Sequence, residues 1–296
     1  MQLWPLAIIS ALLVWAYMPM LSVFADKWLN DPQYSHGLIV PFFSAYLIHR
    51  AWRAGSFTPK PMPIVGCALL VVVLAMRVVA GSMLFHQLDA ASLLLALVAV
   101  NVAAGGWPLL KRTGPAIAFL IFMIPLPYEL ERNVGQPLKT TATVCSTFLL
   151  QTMGQPALRD GNLILIDEVR LGVVDACSGL KMLMTFAAFS VGAVLLMDRT
   201  LFEKFMIVLG IVPIAIAANV IRITATGLSY VIFTNENTRH FLHDLNGYIM
   251  MPVGLGLLAV ELWVLTRLVM EPEGGRKRLV VEPEPMGVRG FSPVPA

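Results

Sequence analysis

Cys177 stands beside Ser178 and Gly179 where an apolar stretch begins, in "VVDACSGLKML" at residues 173–183. At a helix N-terminus, the positive end of the helix dipole and the free backbone N–H groups favour the nucleophilic thiolate. The same N–H groups can hold an oxyanion. A small core cysteine packed beside a glycine is the alternative interpretation. This motif alone does not decide between a nucleophile and a packing residue.

Arg222 lies in the middle of an apolar helical segment, "AANVIRITATG" at residues 217–227, with Asn219 one turn earlier on the same face. A charged side chain within a membrane span is costly, so such a residue is by default a functional candidate. The alternative is an arginine that snorkels to the membrane surface. If the span ends near Gly227, Arg222 is within about two turns of that end.

His243 and Asp244 precede Gly247 and a further apolar run, in "TRHFLHDLNGYIMMP" at residues 238–252. Histidine is the usual general base near neutral pH, and His240, three residues earlier, is a rival for that role. The histidines lack the "HExxH" or "CxxC" spacing of a recognisable metal site. We therefore expect no metal ion and no cofactor.

The elements that must position these residues are membrane helices. Hydrophobic residues make up 57% of the 296 positions and charged residues 13%, and runs of about 18 apolar residues match the bilayer core. The sequence predicts an all-α integral membrane protein. The first run lacks a basic n-region and a cleavage site, so we expect it to be retained as a helix. The eight predicted spans are 6–24, 38–53, 64–80, 89–107, 114–124, 178–197, 205–233 and 247–270.

Charge distribution predicts the orientation of these spans. Basic residues cluster in four segments that fall on one side if there are eight spans: residues 50–60, 111–112, 199–204 and 267–278. The positive-inside rule then places both termini in the cytoplasm. The membrane domain is predicted at 1–270 and a disordered cytoplasmic tail at 271–296. The net charge of +3 is small and dispersed, so no nucleic-acid surface is indicated.

The outer loops are predicted at 25–37, 81–88, 125–177 and 234–246, and they include two unusual segments. Residues 137–153 are short and threonine-rich, which favours an amphipathic or re-entrant segment. Residues 159–175 alternate apolar and polar side chains, which predicts a small β-hairpin with Asp167 and Glu168 at its tip. Trp28 and Tyr34 are predicted to be aromatic residues of the membrane interface.

Together, the three polar motifs place a nucleophile, a cation and a base at adjacent helix ends on the outer face. That set suits acyl transfer: thiolate attack, stabilisation of the tetrahedral intermediate and proton delivery to the leaving amine.

Four segments resemble the exosortase/archaeosortase family. They are "YSHGLIVP" at 34–41, "RDGNLILID…LGVVDACSGLKML" from 159 to 183, "VPIAIAANVIRI" at 212–223 and "FLHDLNGY" at 241–248. They follow the family order over most of the chain. The resemblance implies a cysteine transpeptidase of the bacterial inner membrane that is active at the periplasmic face. Its substrates would be exported proteins with a C-terminal sorting signal of the PEP-CTERM type, and a lipid or an amine would be the acceptor.

The resemblance also assigns roles to residues. Cys177 would be the nucleophile that forms a thioester, His243 would move the proton, and Arg222 would orient the substrate carbonyl or stabilise its oxyanion. Supporting positions would be Ser178, Gly179, Asn219, Asp244 and Asp175.

Two other classes of protein compete with the enzyme. A transporter or channel could use Arg222 and Asn219 in a solute path, although the chain shows no internal repeat and its polar residues cluster at one face. A membrane scaffold would leave the Cys177 motif unexplained. Within the enzyme interpretation, hydrolysis and transpeptidation both stay open, since water and an acceptor compete for the same thioester.

Overall fold

The structure is a computed structural model that describes residues 4–31, 34–55, 57–167, 169–172, 179–233 and 235–268. The α-helices are α1 (Trp4–Ala16), α2 (Met18–Asn30), α3 (His36–Arg53), α4 (Pro63–Met83), α5 (His86–Phe119), α6 (Tyr128–Thr152), α7 (Gly179–Leu196), α8 (Leu201–Ile232) and α9 (Glu236–Leu268). A 3-10 turn, Leu120–Met123, follows α5, and three strands lie between α6 and α7: β1 (Ala157–Asp160), β2 (Leu163–Ile166) and β3 (Val169–Gly172).

Four helical segments in the described part of the chain are long and apolar enough to cross a membrane: Pro63–Met83, His86–Met123, Leu201–Ile232 and Leu245–Leu268. A shorter apolar helix covers Met182–Leu196. On α4, large apolar side chains such as Ile64, Val71 and Leu74 are exposed, as expected of a helix that faces lipid. The protein is a helical membrane protein. Eight spans, cytoplasmic termini and the tail from residue 271, which lies outside the described residues, stay predictions.

The first predicted span is divided in the structure. Helix α1 ends at Ala16 and α2 begins at Met18, with Pro19 in its first turn. Proline lacks the N–H that would continue the hydrogen-bond ladder. The Ala16 carbonyl, on the last residue of α1, accepts a hydrogen bond from Arg77 of α4. The Arg77 guanidinium also lies 4.1 Å from the Tyr17 ring centre, and its Nε is 3.8 Å from Asp89 Oδ1. Arg77 is therefore a cation whose partners are all structural.

Trp28 and Tyr34 are not interface residues, which corrects the prediction. Both are buried, and Trp28 Nε1 donates a hydrogen bond to the Met123 carbonyl at 3.0 Å. The Trp28 ring lies against Gly37 of α3, where an added Cβ would collide with it. The sequence could not show this, because the contact depends on a glycine that leaves room for the indole.

Helix α5 turns at Gly106, whose backbone has φ 66° and ψ −157°. A Cβ at this position would collide with the Lys60 carbonyl, so only glycine fits. Across the turn, Thr113 Oγ1 donates to Asn101 Oδ1 at 2.9 Å. The break between the predicted spans 89–107 and 114–124 therefore falls at this glycine.

The threonine-rich segment 137–153 belongs to one continuous helix, α6, which begins at Tyr128 after Pro127. The segment does not turn back within its length, so the re-entrant alternative is wrong, while the amphipathic alternative stays a prediction. Its threonines are compatible with the helix because their hydroxyls bond carbonyls one turn back, as Thr143 does to Lys139 and Thr147 to Thr143, each at 2.8 Å.

The predicted hairpin is part of a three-stranded antiparallel sheet in the order β1-β2-β3. The turn between β2 and β3 lies at the predicted tip, with Asp167 at φ 49°. Strand β1 was missed because only Ala157 of its four residues is buried, so the strand lacks an apolar alternation. The sheet packs on α6 and α8 through a cluster that includes Leu150, Ile164, Ile166, Leu171 and Ile223.

Candidate active site

Three packed helices, α7, α8 and α9, support the candidate site. A capping box starts α8, since Thr200 Oγ1 accepts from the Glu203 N–H and the Glu203 carboxylate accepts from the Thr200 N–H. Short links at 197–200 and 233–235 join the three helices, so α8 runs antiparallel to both neighbours. Helix α9 therefore begins where α8 finishes, whereas α7, with 18 residues against 32, begins beside the second half of α8. The sheet packs near one end of these helices, at Ile223 of α8, and we call that end the sheet end.

The start of α7 lies level with Gly247 of α9. Further along these helices, the Phe186 ring of α7 lies against Gly254 of α9 so closely that a Cβ there would collide with it. Seven residues separate Gly179 from Phe186, and seven separate Gly247 from Gly254. Each helix rises about 1.5 Å per residue, so Gly179 and Gly247 both lie about 10 Å from that contact, toward the sheet end.

Helix α8 supplies Arg222 at the same level. Met182 of α7 packs in one cluster with Ala215 and Ala218 of α8. Because α7 and α8 are antiparallel, the turn before Met182, where Gly179 lies, faces the turn after Ala218, which leads to Arg222. On the other side, Arg222 Nη2 is 3.4 Å from the point that a Cβ of Gly247 would occupy. The start of α7 and the turn of α9 that holds Gly247 thus meet around this arginine.

The Arg222 side chain is buried, with a relative exposure of 6%. Its guanidinium makes no hydrogen bond and no ion pair with any residue that the structure describes. A guanidinium carries five N–H donors, and in Arg222 the described residues do not take them up. This contrasts with Arg77, whose guanidinium is held by a carbonyl, a carboxylate and an aromatic ring. Arg222 therefore differs from Arg77 in having no structural partner among the described residues.

Asn219, one turn before Arg222, is also buried, and its Oδ1 has no hydrogen-bond partner among the described residues. It lines a small recess between α6 and α8 with Leu138, Ala215 and Ile216. The two polar groups of this helix face that lack partners are therefore adjacent, as the NxxR spacing predicts.

Helix geometry places position 243 of α9, rather than position 240 or 244, on the face that packs against α8. Three residues of α9 contact α8: Arg239 bonds the Tyr230 carbonyl, Asn246 Nδ2 is 3.3 Å from Thr226 Oγ1, and Gly247 meets Arg222. At about 100° per residue, the backbone position of residue 243 lies within about 20° of their mean direction around the helix axis, whereas positions 240 and 244 lie about 80° and 120° away. The side chains of His240, His243 and Asp244 are outside what the structure describes.

Cys177, Ser178 and Asp175 lie outside the described residues, which resume at Gly179. The structure describes the residues on either side of the interval 173–178. Before it, Leu171 of β3 packs in one cluster with Ile223, the neighbour of Arg222. After it, Gly179 opens α7 level with Gly247. The chain therefore leaves and re-enters the described structure close to Arg222.

His36 and Thr185 form a buried polar contact that the site prediction did not include. The His36 Nδ1 and Thr185 Oγ1 atoms are 3.0 Å apart, which links the start of α3 to the second turn of α7. His36 belongs to the quoted "YSHGLIVP" segment, but no role followed from it. In the sequence, the feature that could have pointed to Thr185 is a hydroxyl side chain within an apolar helix. This contact helps to fix the first two turns of α7.

Residues 28–260 match the family model described as Transmembrane exosortase (Exosortase_EpsH). This chain belongs to the transmembrane exosortase family. The family expected from the four sequence segments is thus confirmed, and exosortases are membrane transpeptidases that act on C-terminal sorting signals. No curated protein and no solved structure matches this exosortase. The matched range contains all three strands, α7, α8 and the part of α9 that holds Gly247 and Gly254.

Proposed function

We propose that this exosortase is a cysteine endopeptidase and transpeptidase of the bacterial inner membrane. It cleaves the C-terminal sorting signal of exported proteins at the periplasmic face through a thioester on Cys177. The observation that carries the proposal is the buried guanidinium of Arg222, which has no partner within the described structure and is level with the start of α7. The residue two places before that start is Cys177.

In the first step, the Cys177 thiolate attacks the carbonyl carbon of the scissile peptide bond. A C–S bond forms, and the carbonyl oxygen becomes an oxyanion that Arg222 and the first N–H groups of α7 stabilise. The C–N bond then breaks as His243 delivers a proton to the leaving amine. The upstream part of the substrate is now a thioester on Cys177, and the sorting signal leaves with a new N-terminus.

In the second step, an acceptor attacks the thioester carbonyl. His243 takes the proton of the acceptor, which is an amine, a lipid group or water, and the thiolate leaves as Cys177 is restored. Asn219 supports Arg222 from the preceding turn of α8. Ser178 and Gly179 shape the oxyanion site, while Asp175 and Asp244 supply polar neighbours to the cysteine and the histidine. The reaction needs no metal ion and no cofactor.

The proposal is tested by co-expressing the enzyme with an exported protein that carries a C-terminal sorting signal. The wild type should convert the substrate to a shorter form, and Cys177→Ala should lose that conversion because no other group can form the thioester. Cys67→Ala and Cys145→Ala are matched controls, since both cysteines are exposed thiols in the described helices α4 and α6. They should process the substrate as the wild type does.

Immunoblots of the substrate, normalised to the amount of enzyme in the membrane, provide the measurement. Processing that persists in Cys177→Ala would remove Cys177 as the nucleophile. In that case, Arg222 and Asn219 would point to the transporter or channel that competes with the enzyme.

A further inference from the structure

Arg239 holds the end of α8. The last four carbonyl groups of an α-helix have no partner within the helix. In α8, the Tyr230 carbonyl accepts a hydrogen bond from Arg239 Nη2 at 2.8 Å, and the Phe233 carbonyl, just past the helix end, accepts from Arg239 Nε at 2.6 Å. The guanidinium also lies 5.5 Å from the Tyr230 ring centre. The cation therefore sits at the negative end of the α8 dipole.

Arg239 belongs to α9, so these bonds also fix the direction that α9 faces. Residues spaced by four lie on one face of a helix. Arg239, His243 and Gly247 form such a row, and both of its ends contact α8, at Tyr230 and at Arg222. A rotation of α9 by one residue would turn the middle position by about 100°, away from Arg222.

The Arg239 contact lies in the first turn of α9. Helix α9 begins at Glu236, three residues before Arg239. The next described side-chain hydrogen bond from α9 to α8 is made by Asn246, about two turns later. Between the two, the rotation of the helix sets the direction that position 243 faces.

We propose that Arg239 is a positioning residue that locks the rotation of the first turns of α9 and thereby presents His243 toward Arg222. The inference rests on the proposed function, because it assigns Arg239 a role in proton transfer through His243. Arg239 does not touch the substrate.

Arg50 offers a matched control. It caps another helix in the same way, since its Nη1 donates to the carbonyls of Leu195 and Leu196 at 3.2 and 2.9 Å. These carbonyls lie at the end of α7, which is far from the sheet end. Loss of either arginine removes two hydrogen bonds to helix carbonyls, but only Arg239 shares a helix face with His243.

The experiment compares Arg239→Gln, Arg239→Lys and Arg50→Gln with the wild type and Cys177→Ala, in the full chain and in membranes. We expect Arg239→Gln to lower processing per membrane-embedded enzyme by about tenfold to hundredfold, as a small misplacement of a catalytic group does. Arg239→Lys should recover part of the loss, because an ammonium can still donate to the α8 carbonyls. Arg50→Gln should process within about twofold of the wild type, as expected away from the catalytic group.

Substrate capture separates positioning from general damage. In the Cys177→Ala background, adding Arg239→Gln should leave the amount of co-purified substrate unchanged, because only the chemical step is affected. Equal processing by Arg239→Gln and Arg50→Gln would overturn the inference. It would also be overturned if both Arg239 variants captured less substrate, or if both were present in the membrane in smaller amounts, in parallel with their loss of processing. Normal processing by Cys177→Ala would instead overturn the proposed function itself.

Discussion

Replacing Arg222 with lysine should lower substrate processing by about 10²- to 10³-fold, the loss typical of removing an oxyanion donor, while the enzyme stays in the membrane. The guanidinium is buried and has no partner in the described structure, so its donors are available to the substrate. Lysine keeps the charge but cannot present two parallel N–H groups to one oxygen or carbonyl. The measurement is the rate of substrate shortening per membrane-embedded enzyme.

Arg77→Lys is the matched control for this substitution. Arg77 also lies within an apolar helix, but its guanidinium is bonded to Ala16 and lies beside Asp89 and Tyr17. We expect Arg77→Lys to reduce the amount of folded enzyme and to leave the rate per folded molecule near that of the wild type. Full activity of Arg222→Lys, or an equal loss of processing rate per molecule in the two variants, would contradict a specific role for the planar guanidinium of Arg222.

A steric substitution tests the same arginine without changing its charge. Gly247 leaves room for the Arg222 guanidinium, whereas a Cβ at Gly256, about two and a half turns later on α9, would meet nothing within 4 Å. Gly247→Leu should therefore displace Arg222 and lower processing, and Gly256→Leu should not. Equal rates for the two leucine variants would show that the position of Arg222 does not matter.

Replacing His243 with glutamine should lower processing by about 10²- to 10⁴-fold, the usual contribution of a general acid–base group. Glutamine can hydrogen-bond but cannot exchange a proton at neutral pH, so the leaving amine would depart unprotonated. His240→Gln is the control, because position 240 lies about 80° from the direction in which α9 faces α8. It should process the substrate nearly as the wild type does.

The assay for the two histidines is again substrate shortening, with the level of each variant in the membrane measured in parallel. A large loss in His240→Gln together with normal activity in His243→Gln would transfer the base to His240. It would also show that α9 is rotated relative to the structure described above.

The sequence predicted the helices of the site because their apolar runs are long and their polar residues rare. Arg222 stood out for this reason, and the structure finds it buried and without a partner among the described residues. The NxxR spacing likewise predicted that Asn219 would share its face, since helix periodicity is a local property.

Contacts between distant segments could not be predicted in this way. The burial of Trp28 depends on Gly37 and Met123, which belong to other helices. The hydrogen bond to the Ala16 carbonyl beside the break at Tyr17 comes from Arg77, some 60 residues later in the chain. These features arise from tertiary packing, which overrides the local signals of an interface aromatic or of a single apolar run.

The candidate site likewise combines residues that local patterns predicted with contacts between distant segments that they could not predict. Three motifs suggested a nucleophile, a cation and a base, but no local pattern revealed that the start of α7 is level with Gly247 of α9. That relation depends on Phe186 packing against Gly254, and a glycine within an apolar helix carries no such signal by itself. The preference for position 243 over 240 likewise required the contacts of Arg239 and Gly247 with α8.

Interception of the intermediate with hydroxylamine tests the central claim most directly. Membranes that contain the wild-type enzyme and a sorting-signal substrate are incubated with hydroxylamine, and the new C-terminus of the shortened substrate is identified by mass spectrometry. A thioester on Cys177 predicts a C-terminal hydroxamate, formed in amounts that rise with hydroxylamine concentration and absent with Cys177→Ala. A shortened substrate that carries only a free carboxylate at every hydroxylamine concentration would contradict the thioester, and with it the role of Cys177.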